Sequence, residues 1–125
     1  MPRFIDTVQA WQNKTGIGAE ATTLIGFSQG AIMALESTQV ATLPAKRVIA
    51  IAGRFAQAAR VAPPELSLHI LHGDQDAVIP ASHGSDSADR WRQLGGQVSL
   101  DIFPGLGHGI DQRVANRISA LLGAS

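Results

Sequence analysis

The sequence predicts an α/β fold: a parallel sheet of about four strands with flanking helices, in a single domain over residues 1–125. Three observations predict it. Short runs of β-branched and apolar residues alternate with longer stretches whose apolar positions recur every three or four residues. Glycine or proline closes almost every run. The stretches between the short runs are long enough to be crossovers, which makes consecutive strands parallel and their connections right-handed.

Taken in order, Phe4, Ile5, Val8 and Trp11 recur at helical spacing, so residues 2–14 form an amphipathic helix with Pro2 in its first turn, ended by Gly16 and Gly18. Residues 21–27 (ATTLIGF), from Ala21 to the phenylalanine before Ser28, are short and apolar, as in a buried strand. Residues 29–39, rich in Ala, Leu, Met and Glu, form a helix, and Pro44 closes its connection. Residues 47–52 (RVIAIA) are a second strand, stopped by Gly53. Residues 54–65, with Pro63 and Pro64, form a loop containing a short helical piece. Residues 66–72 (LSLHILH) are a third strand ended by Gly73, and residues 81–94 a helix ended by Gly95 and Gly96. Residues 97–103 (QVSLDIF) are a fourth strand, followed by the glycine-rich PGLGHG. The last helix covers residues 110–122, with Val114, Ile118, Leu121 and Leu122 as its apolar stripe. No repeat or low-complexity tract interrupts the alternation.

Composition narrows the functional classes. Hydrophobic residues make up 45% and charged residues 16% of the chain, which suits a packed core and not a disordered segment. Lys plus Arg and Asp plus Glu both number 10. A chain without net charge has no electrostatic footprint for nucleic acid, and no nucleic-acid partner is expected. No stretch is long and apolar enough to span a bilayer, so no membrane span is expected. The first residues, MPRFIDTVQAWQ, lack the apolar block of a secretion signal. The absence of cysteine removes disulfides, thiolate metal sites and a cysteine nucleophile, and cytoplasm is the expected compartment.

The chemistry concentrates at three strand ends. Ser28 stands in Gly-Phe-Ser-Gln-Gly where a strand hands over to a helix. A serine on so sharp a turn has its hydroxyl lifted clear of the sheet, and Gly26 and Gly30 are expected to relieve the clashes that the turn creates. The helix N-terminus behind it favours negative charge. A serine hydroxyl needs a base to become a nucleophile. Of the four histidines, His69 lies inside a strand pattern as a packed or edge residue, His72 ends that strand just before a turn, and His83 lies at an exposed helix start. His108 sits between glycines after the last strand, where the backbone can bend its imidazole over a neighbouring strand end, and it ranks first as the base. The carboxylate that orients an imidazole should also follow a strand. Asp74 and Asp76 both do; Asp74 is placed to hold the tight turn, while Asp76 lies further out towards His108 and ranks ahead of it. Asp86, Asp89 and Asp111 read as solvated helix charges, and Asp101 as a solvent-facing residue of an edge strand. An oxyanion would be met by the backbone N–H of Gln29 and by a second donor from a loop after an earlier strand, which the strands read above do not include.

These stretches, GFSQGAIMALES at 26–37, LHGDQDAVIP at 71–80 and GLGHGID at 105–111, resemble the α/β-hydrolase superfamily in its phospholipase/carboxylesterase branch, which is similar to acyl-protein thioesterases. The helix and strand before Ser28 fit the same branch. The resemblance implies that Ser28, Asp76 and His108 are nucleophile, orienting carboxylate and base. It implies hydrolysis of a small acyl ester or thioester through an acyl-serine, with no cofactor and no metal. It also implies that the chain corresponds to the C-terminal half of that fold. On that reading the strand at 21–27 is an uncovered edge, and a homo-oligomer joined near Ala21 and Phe27 is expected. The alternative implied by the same reading is a catalytically silent assembly module lacking part of its oxyanion hole.

Overall fold

The computed structural model describes residues 22–40, 43 and 45–123. The helix expected over residues 2–14 and the start of the strand expected at residue 21 lie outside the described residues. The elements are β1 (Thr23–Phe27), α1 (Gln29–Glu36) with a 3-10 turn at Ser37–Gln39, β2 (Arg47–Ile51), β3 (Ser67–Gly73), α2 (Ala81–Gln93), β4 (Val98–Phe103) and α3 (Gln112–Gly123). The strands form one parallel sheet in the order β1-β2-β3-β4, with Phe27 opposite Ile51, Ile51 opposite Leu71, and Gly73 opposite Phe103.

Strand alternation sorts the core into two layers. Val48, Ala50, Leu68 and Ile70 face one side, where they are buried with Ala31, Ala34 and Leu35 of α1 and with Ala88 and Trp91 of α2. Ile49, Ile51 and Leu71 face the other side, under Val114 and Leu121 of α3. Helices therefore cover both faces, which is why β2 reads as a continuous apolar run; β3 carries Ser67, His69 and His72 among its apolar residues. Among the described residues β1 has a neighbour on one side only, and Ile25 is 48% and Phe27 37% exposed.

Three expectations are corrected. The helix expected over 29–39 ends as an α-helix at Glu36, because the Ser37 and Thr38 hydroxyls donate back to the carbonyls of Ala34 and Leu35 at 2.6 Å each and tighten the last turn. Residues 54–65 contain no helical piece. Their backbone groups are held by side chains instead: the Gln39 carbonyl oxygen accepts from the N–H groups of Arg60 and Val61, and the Glu36 carboxylate from that of Ala56. Phe55 and Ala59 do the covering that a crossover helix would do, with Phe55 stacked on Trp91 at 6.2 Å between ring centroids. Asp111 is a cap and not simply a solvated charge: its carboxylate accepts from the Val114 N–H at 3.1 Å at the start of α3. Asp101 does lie on the edge strand β4, where it pairs with Arg117 of α3 at 2.9 Å.

All four strands point the same way, so the carboxyl ends of β1, β3 and β4 share one rim. That rim carries Ser28, the loop at 74–80 and the loop at 104–111.

Candidate active site

Ser28 follows the last residue of β1 and precedes the first of α1, with φ 58° and ψ −117°. That conformation costs a non-glycine residue about 1–3 kcal/mol. It is held by hydrogen bonds on both sides: Ser28 N–H donates to the Ile51 carbonyl at 3.0 Å, and the Ser28 carbonyl accepts from Ile32 N–H at 3.1 Å. The turn brings the backbone of Gly26 against that of α1. A Cβ built on Gly26 would lie 2.3 Å from the Gly30 carbonyl oxygen and 2.7 Å from the Ala31 nitrogen, which no side chain permits. Gly30 is different from the expectation: a Cβ there meets nothing within 4 Å. The clash is relieved by Gly26 alone, and what Gly30 contributes is the carbonyl that Gly26 must pass.

His108 lies 80 residues later in the chain, yet its Nε2 is 2.9 Å from Ser28 Oγ. Its Nδ1 is 2.8 Å from Asp76 Oδ2. Asp76 is an acceptor, so Nδ1 carries the hydrogen and Nε2 is left to accept from the serine hydroxyl. The Asp76 side chain is fully buried. Its other oxygen, Oδ1, accepts from the N–H groups of Val78 at 2.9 Å and Ile79 at 2.8 Å. Burial, the largest single influence, pushes this carboxyl up; the hydrogen bonds from His108 and from the Ile79 and Val78 amides, with the attraction of the His108 charge, outweigh it and hold the group below the usual carboxylate range. Phe27 packs on the His108 ring at 5.0 Å between centroids.

Asp74, the second carboxylate weighed above, does not meet the imidazole. Its Oδ1 accepts from Gly105 N–H at 2.8 Å, so it ties down the loop that carries His108 and not its own turn. Gly73 makes that docking possible. A Cβ built on it would lie 2.2 Å from the Leu106 carbonyl oxygen and 2.7 Å from that of Gly107. Gln75 N–H donates to the same Leu106 carbonyl at 2.9 Å. His83 is exposed on α2, and Asp86 and Asp89 are exposed on the same helix. His69 stands on the interior strand β3, not on an edge, with its Nδ1 2.6 Å from Ser99 Oγ. A cavity of about 230 Å³ beside it, lined by Ser67, His69, Gln97 and Ser99, opens at the amino ends of β3 and β4, away from the rim that carries Ser28.

In the sequence His72 reads only as the end of a strand before a turn. It is 1% exposed, its Nε2 lies 2.6 Å from the Ile79 carbonyl oxygen and 3.4 Å from Asp76 Oδ2. The signal that could have found it is Gly84, a glycine inside a helical pattern, whose missing Cβ leaves room for the His72 ring. Gly73 reads in the sequence as a strand stop, and its contact with residues 106 and 107 emerges only from the fold.

The backbone N–H groups at the start of α1, Gln29 first among them, have no acceptor within the helix and follow directly on Ser28 at the positive end of the helix dipole. A hydroxyl, an imidazole and a buried carboxylate in series, next to a helix N-terminus, can transfer a proton off the hydroxyl and stabilise an anion formed there. Among the described residues, no group of three or more His, Cys, Asp or Glu side chains is arranged to hold a metal ion. No helix among them is long and apolar enough to cross a membrane.

Comparison with known proteins gives a consistent answer. The family model described as phospholipase/carboxylesterase matches residues 1–124. The chain is 48% identical over 113 residues to esterase YpfH of Escherichia coli (strain K12), an alignment covering 90% of this chain and 49% of that protein. It is 30% identical over 115 residues to acyl-protein thioesterase 1 of Neurospora crassa, covering 84% of this chain and 46% of that one. Among solved structures, esterase PE8 superposes with a TM-score of 0.84 at 31% identity, covering 98% of this chain and 59% of the other. The Bacillus cereus carboxylesterase gives a TM-score of 0.85 at 12% identity, over 97% of this chain and 57% of that one, which speaks to the fold alone. The chain thus spans about half the length of the curated relatives it matches.

Proposed function

The chain belongs to the phospholipase/carboxylesterase family of α/β-hydrolases, and from that premise we propose that it carries the Ser-His-Asp triad of a serine hydrolase that cleaves small carboxylic esters or thioesters through an acyl-serine. The observation that carries the reading is the His108 imidazole bonded to Ser28 Oγ on one side and Asp76 Oδ2 on the other. In this reaction His108 Nε2 takes the proton of Ser28 as Oγ attacks the acyl carbonyl. Asp76, already ionised, keeps the imidazole in the tautomer that can accept this proton and stabilises the cation that forms. The oxyanion of the tetrahedral intermediate is met by the Gln29 N–H at the start of α1. His108 then gives its proton to the leaving alcohol or thiol. Water, deprotonated by the same imidazole, attacks the acyl-serine and releases the acid, and the hydroxyl of Ser28 is restored. The relatives span about twice the length of this chain, so the activity proposed is that of the whole protein. We propose further that copies of the chain associate through the side of β1 that has no neighbour among the described residues.

The test is chemical. A fluorophosphonate should modify Ser28 stoichiometrically in folded protein, and Ser28→Ala should abolish both labelling and turnover of a short-chain nitrophenyl ester. Retention of a substantial fraction of the turnover by Ser28→Ala would remove the nucleophile from this assignment. Folded protein that takes up no fluorophosphonate while keeping all three side chains would favour a silent assembly module instead.

A further inference from the structure

Beside the three side chains of the proposed triad a fourth ionisable group, His72, is enclosed. Its burial has to be accounted for, because a fully buried imidazole sits where an apolar residue would cost less. His72 lies on β3 two residues after Ile70, so its ring points to the face covered by α2. Carbonyl oxygen can only accept, so the 2.6 Å contact with Ile79 puts the ring hydrogen on Nε2. That N–H also looks at Asp76 Oδ2 from 3.4 Å. The other nitrogen, Nδ1, is buried with no hydrogen-bond partner and faces Gly84 of α2.

We propose that His72 is a positioning residue for Asp76, and through it for His108. The proposal rests on the triad reading, since it assigns His72 a part in that chemistry. Two connections carry it. His72 Nε2–H binds the carbonyl of Ile79, the residue whose own N–H binds Asp76 Oδ1. The ring therefore pins the loop at 76–79 to β3 at the residue that fixes one carboxylate oxygen. The same N–H also lies 3.4 Å from the oxygen that accepts from His108, a close polar contact and not a second hydrogen bond. Asp76 is thus held at both oxygens, and His72 secures the residue that binds one of them while standing in polar contact with the other. Preorganised orientation of this kind is what keeps a reacting group within a few tenths of an ångström of its working geometry.

Gly84 is the complementary device. A Cβ there would lie 3.0 Å from His72 Nδ1, tighter than most real contacts, while His72 Cβ at 3.5 Å would be in ordinary van der Waals contact. Glycine is unfavourable inside a helix, so its presence at the point where the ring stands is explained by the ring. The ring has little room to yield, because its far side is bonded to Ile79.

His72→Leu keeps volume and removes the donor, and His72→Gln returns an N–H close to the position of Nε2. The rate constant for fluorophosphonate labelling of Ser28 and the His108 Nδ1–H proton resonance are measured on the wild type and both variants, with thermal melting alongside. The expected result is a loss of about tenfold to a hundredfold in labelling rate for His72→Leu, as for other small misplacements of reacting groups. A shifted or broadened His108 resonance should accompany it, and His72→Gln should recover most of both while melting near the leucine variant. Equal losses in the two variants, tracking their melting temperatures, would reduce His72 to packing and overturn the proposal. So would a leucine variant that labels like the wild type. A wild type that does not label refutes the triad reading itself; the His108 resonance then decides alone, and an unchanged resonance in His72→Leu overturns the positioning role. Should His72→Leu fail to fold, Gly84→Ala, which presses on the ring and retains every donor, must slow labelling and move the same resonance, and it overturns the proposal if it does neither.

Discussion

Replacing Gly73 by alanine isolates the contact that seats the His108 loop on β3. The new Cβ would lie 2.2 Å from the Leu106 carbonyl oxygen, and an ordinary van der Waals contact begins at 3.4 Å, so the loop must retreat by about 1.2 Å. Both atoms belong to backbone or are fixed to it, so no side-chain rotation absorbs the strain. A shift of that size takes His108 Nε2 from 2.9 Å to about 4 Å from Ser28 Oγ, outside the range in which a base removes a proton. Misplacement by about 1 Å costs on the order of a hundredfold in rate. Stability should fall less decisively: overpacking costs about 1–3 kcal/mol, against a total of roughly 5–15 kcal/mol for a domain, so the variant should remain folded. The assay is the rate of fluorophosphonate labelling at Ser28, with melting followed by circular dichroism. Gly107→Ala is the matched control, because its Cβ reaches only the Gln75 carbonyl oxygen, at 3.9 Å. A folded Gly73→Ala protein that labels within about twofold of the control would refute the idea that this contact sets the position of the base.

Three further outcomes follow from the same structure. Asp76 is held below the usual carboxylate range, so the stability drawn from its ionised form is present above the unfolded value of about 3.9 and is lost as pH falls through the lower folded value; the melting difference between wild type and Asp76→Asn should be steady at neutral pH and shrink below about pH 4, and a difference independent of pH would contradict this. Burial, then the charges of Arg47 and Arg117, lower the pKa of His69, with Asp101 opposing; the unfolded chain therefore binds a proton more readily, stability should decline as pH drops below about 6.5, and His69→Gln should lose less between pH 7.5 and 5.5 in urea titrations than the wild type does. The side of β1 that has no neighbour among the described residues, with Ile25 and Phe27 exposed, should give a dimer or larger species in sedimentation equilibrium, and a stable, folded monomer at micromolar concentration would exclude that contact.

The elements that were legible in the sequence are those fixed by local pattern. The three apolar runs at 47–52, 66–72 and 97–103 announce strands because each is β-branched or alternating and ends at a glycine or proline, and the observed strands differ from them by a residue at either end. Ser28, Asp76 and His108 could be named because each follows such a run, and parallel strands bring their carboxyl ends to one rim. What was not legible depends on atoms far apart in sequence. Gly26 and Gly30 look equivalent around Ser28, but only the fold shows which of the two has a neighbour in the way. Residues 54–65 read as a loop with a short helical piece, yet Phe55 and Ala59 reach the core without one, because the loop borrows the side chains of Glu36 and Gln39 to satisfy its backbone. His72 reads as one more polar residue at a strand end until the register places it against α2 and the loop at 76–79 brings Ile79 over its ring.

Every strand of the sheet lies beside the one that precedes it in the chain. A growing polypeptide can therefore build this sheet in the order in which it leaves the ribosome, each new strand docking on a surface already formed. The 80 residues between the serine and the imidazole take roughly 4–16 s to add at about 5–20 residues per second. For that interval the nascent chain holds the Ser28 hydroxyl without the imidazole that stands 2.9 Å from it in the finished fold, which arrives only with the loop after β4.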